Sequence, residues 1–121
     1  MEKKKTLILG ASANPARYSY LALNKLVANG HPVIAIGKKQ GNVNNVQIST
    51  QPAPLEDIDT ITLYLNPTNQ QQYYDYILSL NPRRLIFNPG TENDALYDLA
   101  KKNGINVMEA CTLVLLATGQ Y

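Results

Sequence analysis

The stretch "LILGASANPARYSY", residues Leu7–Tyr20, decides the fold. A short aliphatic run that ends at Gly10 and enters a polar turn is how a parallel strand hands over to its crossover helix in a dinucleotide-binding fold. The usual G-x-G-x-x-G turn puts its second glycine where backbone meets pyrophosphate and its third where helix meets strand. Counted from Gly10, those places hold Ser12 and Pro15, so only the first glycine is present. Pro15 also pushes Asn14 toward an extended backbone, which moves the expected helix start from Ala13 to about Ser19. The turn is therefore longer than usual. It still aims a helix N-terminus, with open N–H groups and Ser19, at the strand edge, where an anion is stabilised.

Outward from this stretch, five β-branched or aliphatic runs alternate with helical patterns: Thr6–Gly10, Val33–Gly37, Thr60–Leu65, Arg84–Asn88 and Asn106–Glu109. That alternation implies parallel strands joined by crossover helices. Right-handed crossovers favour a strand order 3-2-1-4-5 in a doubly wound, three-layer α/β/α sheet of Rossmann-like type. A first helix is expected from about Ser19 to Asn29, ended by Gly30. A second starts at Thr68, whose hydroxyl is placed to cap while Gln71 reaches back, and it carries Tyr73, Tyr76, Ile77 and Leu80 on one face. A third spans about Glu92 to Asn103, with acids at its start, Lys101 and Lys102 at its end and Gly104 after it. The segment Lys38–Asp59 has only short apolar pieces such as Val46–Ile48, which suggests a long connection with one extra short strand. The tail "CTLVLLATGQY" is apolar enough to pack as a short helix or to bury itself in a partner subunit.

Size and composition fit one soluble domain over residues 1–121: 45% of the chain is hydrophobic and 17% charged. No run approaches the ~20 apolar residues of a membrane span. The basic start carries an apolar run of only about five residues, short of the ~7–15 of a secretory leader core. A single cysteine excludes an intrachain disulfide and a multi-thiolate zinc site, and points to the cytoplasm. Basic residues fall in separate pairs or triplets with a net charge of +2, which gives no nucleic-acid stripe.

Ligands of such a sheet bind at the carboxyl ends of the strands. Those ends carry "GASANPARYSY", "GKKQGN", "LNPTNQ" and "NPGTEN", with Asn-Pro at Asn14-Pro15, Asn66-Pro67 and Asn88-Pro89. Asparagine and proline are turn formers, and their clustering on one edge implies a rigid, shaped surface there. An NAD-binding domain usually ends its second strand with an acid for the ribose hydroxyl. Here Gly37 offers no carboxylate, while Lys38 and Lys39 attract a phosphate on the ribose. Charge thus favours NADP, or coenzyme A with its 3′-phosphate, over NAD.

"GASANPARYSY", "GHPVIAIGKK", "LNP" and "NPGTENDALYDLAKKNGINVMEAC" together resemble the small CoA-binding proteins of the succinyl-CoA synthetase α-subunit N-terminal type. Members typically begin G-A-S-x-N-P-x-R-x-S-Y, and Gly10, Ala11, Ser12, Asn14, Pro15, Arg17, Ser19 and Tyr20 meet each specified position. The resemblance implies a Rossmann-like domain with coenzyme A or an acyl-CoA along its strand ends. Gly10, Ala11, Ser12, Asn14, Arg17 and Ser19 would surround the phosphates, and Lys39, which follows Gly37 and Lys38 on the binding edge, would sit near the adenosine phosphate. Leu65 and Pro67 would wall the adenine, while Pro89 and Gly90 would pass under the pantetheine. The chain departs from the family where Ile36-Gly37-Lys38-Lys39 replaces a frequent V-N-P-K, and where Asn88-Pro89 precedes the later glycine.

No catalytic set emerges. The sole histidine, His31, precedes the second strand and so lies at the opposite edge. Cys111 follows the fifth strand with Glu109, where a thiol could meet a CoA thiol or serve as a small buried hydrophobe. The expectation is a non-catalytic CoA module: a carrier, sensor or partner subunit. The alternatives are an NADP-binding protein that works with a partner and a ligand-free interaction module that docks through its apolar tail.

Overall fold

The computed structural model describes residues 2–121. Its strands are β1 (Thr6–Ala11), β2 (Val33–Gly37), β3 (Gly41–Val43), β4 (Val46–Ser49), β5 (Thr60–Leu63), β6 (Arg84–Phe87) and β7 (Asn106–Glu109). Its helices are α1 (Tyr18–Ala28), α2 (Pro67–Gln70), α3 (Tyr74–Leu80), α4 (Asp94–Lys102) and α5 (Thr112–Ala117), with a 3₁₀ turn at Gln71–Tyr73 between α2 and α3. The strands form one sheet in the order β3-β4-β2-β1-β5-β6-β7, parallel except for the antiparallel β3–β4 hairpin. The Rossmann-like α/β class is as the sequence implies.

The expected order 3-2-1-4-5 needs correction. The run at Thr60 does not flank β2. It pairs with the other side of β1, Thr6 opposite Thr60 and Leu9 opposite Leu63. The place beside β2 belongs to Val46–Ser49, with Ala35 opposite Ile48. The reason lies in the hairpin turn Asn44-Asn45, where both residues have positive φ, 52° and 65°. Asparagine tolerates this conformation, and it is what a tight two-residue hairpin requires. The hairpin returns the chain along β2 before it crosses to β1.

Alternation along the strands builds a core on each face. Leu7, Leu9, Ile61, Leu63, Leu85 and Phe87 pack with Ile77 of α3 and with Leu96 and Ala100 of α4. Ile8, Ile86 and Ile48 pack with Leu23 and Leu26 of α1 and Leu116 of α5. Each fully buried Leu, Ile or Phe among them contributes roughly 1.5–3 kcal/mol. The tail is thus a short helix, as one of its two expected forms. The cap of the second helix is Asn66 rather than Thr68: its side chain accepts from Asn69 N, and Pro67 takes the first helical position. Proline fits there because the N–H it lacks would be unpaired anyway.

At the amino edge of the sheet, Tyr121 is buried against β1 and β6. Its hydroxyl meets Thr6 Oγ1 at 2.6 Å, and Lys4 Nζ and Arg84 Nη1 donate to its main-chain oxygen at 2.9 and 3.0 Å. The Arg84 guanidinium lies 4.3 Å from its ring centroid. His31 packs on the same ring at 4.9 Å and accepts the Lys4 N–H at Nδ1. Burial, followed by the cations Lys3, Lys4 and Arg84, holds His31 below its ordinary value of 6.5.

The unfolded chain takes up that proton near 6.5, whereas the folded protein takes it up only at lower pH. Between the two values the unfolded state binds more protons, so stability falls as pH falls. Urea unfolding at about pH 7.5 and about pH 5.5 is expected to show a larger acid loss for the wild type than for His31→Gln. Equal losses would remove His31 from the pH dependence.

Candidate functional site

Strand β1 ends in a bulge. Leu9 lies opposite Ile36 but Ala11 lies opposite Gly37, which leaves Gly10 as the extra residue. Gly10 has φ of +97°, and a Cβ there would sit 2.8 Å from the Tyr64 carbonyl carbon. On the other side, a Cβ on Gly37 would sit 2.1 Å from the Ala11 oxygen. The end of β1 is therefore wedged between the backbones of β2 and of the segment after β5, and Tyr64 N donates to Leu9 O at 2.8 Å.

From this wedge the first turn emerges into solvent. Ser12 Oγ accepts from Asn14 N, and Asn14 Oδ1 accepts from Ala16 N, each at 3.0 Å. Arg17 N donates to Asn14 O to close the turn over Pro15. Arg17, extended and exposed, then occupies the N-cap position of α1, and its side chain makes no capping hydrogen bond. Ser19 is buried in the first turn of α1. Lys38 and Lys39 are exposed directly after β2. The hairpin that follows them returns to the first turn, since a Cβ on Gly41 would lie 3.1 Å from Ala13 Cβ.

The ends of β5 and β6 form the other half of the edge. Leu65 is buried, and Pro67 opens α2 on the surface. Pro89 and Gly90 are exposed at the centre of a turn closed by Thr91 N donating to Asn88 O at 3.0 Å. Gly90 has φ of +92°, with open space where a Cβ would be. Proline followed by a positive-φ glycine is the pattern of a type II turn. Beneath it, buried Asn88 donates to Thr62 Oγ1 at 2.6 Å and Leu63 O at 2.8 Å, and accepts from Thr112 N at 2.9 Å.

Residues 4–117 match a family model described as a CoA binding domain. The chain belongs to this CoA-binding-domain family. A crystal structure of an uncharacterized protein is 48% identical, with a TM-score of 0.97 and 100% of both chains covered. A hypothetical protein from Pyrococcus horikoshii OT3 matches with a TM-score of 0.84 at 19% identity, over 93% of this chain and 80% of its own. A conserved hypothetical protein from Pyrococcus furiosus gives 0.79 at 23% identity, over 92% and 97%. These last two likenesses concern the fold alone. No curated protein matches the chain.

Within this CoA-binding-domain fold, the sequence-assigned residues fall into two groups on one edge. Gly10, Ala11, Ser12, Asn14 and Arg17 lie beside Gly37, Lys38 and Lys39, and Leu65 and Pro67 lie across from Pro89 and Gly90. Ala11, Ser19, Gly37 and Leu65 differ from the others in being buried. Cys111 is half-buried at the N-cap position of α5. Burial pushes the phenol of Tyr64 up, and Cys111 beside it acts in the same direction. Glu109 is exposed at the end of β7. Sequence reasoning missed Asn88 and Gln70 as organisers. Asn88 carried a signal, as the third Asn-Pro on the edge, whereas Gln70 carried none, being one polar residue in a polar run.

Gly37→Ala is expected to destabilise the protein by about 3 kcal/mol, because the added methyl meets fixed backbone rather than a movable side chain. Urea unfolding checks this. A change within about 0.5 kcal/mol would mean that the β1–β2 approach relaxes freely.

Proposed function

We propose that residues 1–121 act as one domain that binds coenzyme A or an acyl-CoA along the carboxyl edge of the sheet. It works without catalysis of its own, as a carrier, sensor or partner subunit. One observation carries the reading: the uncapped start of α1 with Arg17 and the Lys38–Lys39 pair after β2 open on the same edge. That is a donor set for a ligand with phosphates at separate points, since helix N-termini and lysines both stabilise phosphate. Membership in the CoA-binding-domain family supports the choice of coenzyme A. The bulged turn supplies backbone and a helix start where a dinucleotide fold supplies glycines.

In this reading Ser12, Asn14 and Arg17 receive the pyrophosphate, and Lys39 with Lys38 receives the 3′-phosphate. Leu65 and Pro67 flank the adenine, while Pro89 and Gly90 leave room for the pantetheine. NADP, with its own ribose phosphate, is the competing ligand for the same lysines.

Calorimetric titration with CoA, dephospho-CoA and NADPH under reducing conditions tests the assignment. The wild type is expected to prefer CoA over both others. Lys39→Ala should weaken CoA about tenfold, ~1.4 kcal/mol, and leave dephospho-CoA nearly unchanged. Arg17→Ala should weaken both CoA forms alike. Tighter NADPH than CoA would overturn the reading in favour of an NADP-binding protein. Binding of none of the three would favour an interaction module.

A further inference from the structure

We propose that Gln70 is a positioning residue that fixes the spacing between the two loops on the β5–β6 side of the edge; this rests on the CoA reading above. Gln70 ends α2 and is fully buried, at 0% exposure. Its Nε2 donates to Leu65 O at 2.8 Å and, across the gap between the loops, to Thr91 O at 2.7 Å. Its Oε1 accepts from Asn93 Nδ2 at 2.9 Å. Both donors and the acceptor of the amide are thus engaged.

The bridge is itself held. Asn93 also donates to the Tyr74 hydroxyl at 2.8 Å, and its Oδ1 accepts from Leu96 N as the cap of α4. Thr91, the other end of the bridge, is buried and anchored to Asn88 O through both N and Oγ1. Gln70 therefore ties Leu65, part of the proposed adenine wall, to the Pro89-Gly90 turn under the proposed pantetheine. Two buried main-chain carbonyls depend on one side-chain amide, and a carboxylate in its place cannot donate to them.

A ligand that spans both loops profits from their fixed separation, whereas a fragment that touches one loop does not. Gln70→Met keeps the length of the side chain and removes the bridge. Titration of this variant is expected to show CoA weakened about tenfold, with adenosine 3′,5′-bisphosphate changed less than about twofold. Asn93→Ser keeps a helix cap but frees Gln70 Oε1, and it guards against a Gln70→Met protein that does not fold. It is expected to weaken CoA about threefold and spare the bisphosphate. Equal losses for CoA and bisphosphate, or unchanged CoA affinity in either folded variant, would overturn the positioning role while leaving the CoA reading intact. A wild type that binds neither ligand overturns that reading, and this proposal with it.

Discussion

The edge depends on a backbone-to-backbone approach at the end of β1. Ala11 O occupies the space that a side chain on Gly37 would need, and Gly10 abuts the Tyr64 backbone with a φ that disfavours a side chain. Neither contact involves a group that can be repacked, so both positions demand glycine for a steric reason. The resulting bulge offsets Ala11 from its neighbours and directs Ser12–Arg17 outward over the sheet edge. A tighter glycine-rich turn would start its helix sooner. Here Pro15 delays it, and Arg17 is left where a capping side chain would normally stand.

The three Asn-Pro pairs solve three different backbone problems. Asn14 accepts from Ala16 N and closes a turn over its proline. Asn66 caps α2 through Asn69 N, with Pro67 as the first helical residue. Asn88 begins the Pro89-Gly90 turn, while its side chain is turned inward to β5 and α5. In each case the asparagine supplies hydrogen bonds that the proline cannot, and proline removes alternative conformations of the unfolded loop. Rigidity of the edge follows from local chemistry repeated at each strand end.

Much of this was legible in the sequence. Strand existence followed from β-branched runs, and Gly30 and Gly104 ended helices where their positive φ, 80° in both, now stands. Parallel connection followed from alternation alone. Strand order did not, because the length of Lys38–Asp59 hid a hairpin whose residues Gly41–Ser49 are largely polar and short. Period-two patterning has little to grip in a strand of three or four residues. The second helix misled for a related reason: Tyr73, Tyr76, Ile77 and Leu80 keep a helical spacing across a 3₁₀ turn. Gln70 was invisible because a buried amide differs from an exposed one only in what surrounds it.

The face under α5 shows how polarity can fix a register that apolar contact would leave loose. Thr60 and Thr62 of β5 and Arg84 of β6 are buried there, in positions where a doubly wound sheet ordinarily carries Val or Ile. Thr62 meets Thr112 Oγ1 at 2.8 Å, and Asn88 takes the Thr112 N–H, so the start of α5 has one seat. Arg84 reaches Thr60 Oγ1 and the Tyr121 main-chain oxygen, and stacks on the tyrosine ring, so the end of the tail has another. Its Nη2 is buried without a hydrogen-bond partner among the described residues, an arrangement that costs stability. Leu116 alone would hold a helix of six residues by contact that permits sliding. Directional bonds at both ends prevent it, and they keep Cys111 and Tyr64 side by side at the carboxyl edge while the same segment closes the amino edge.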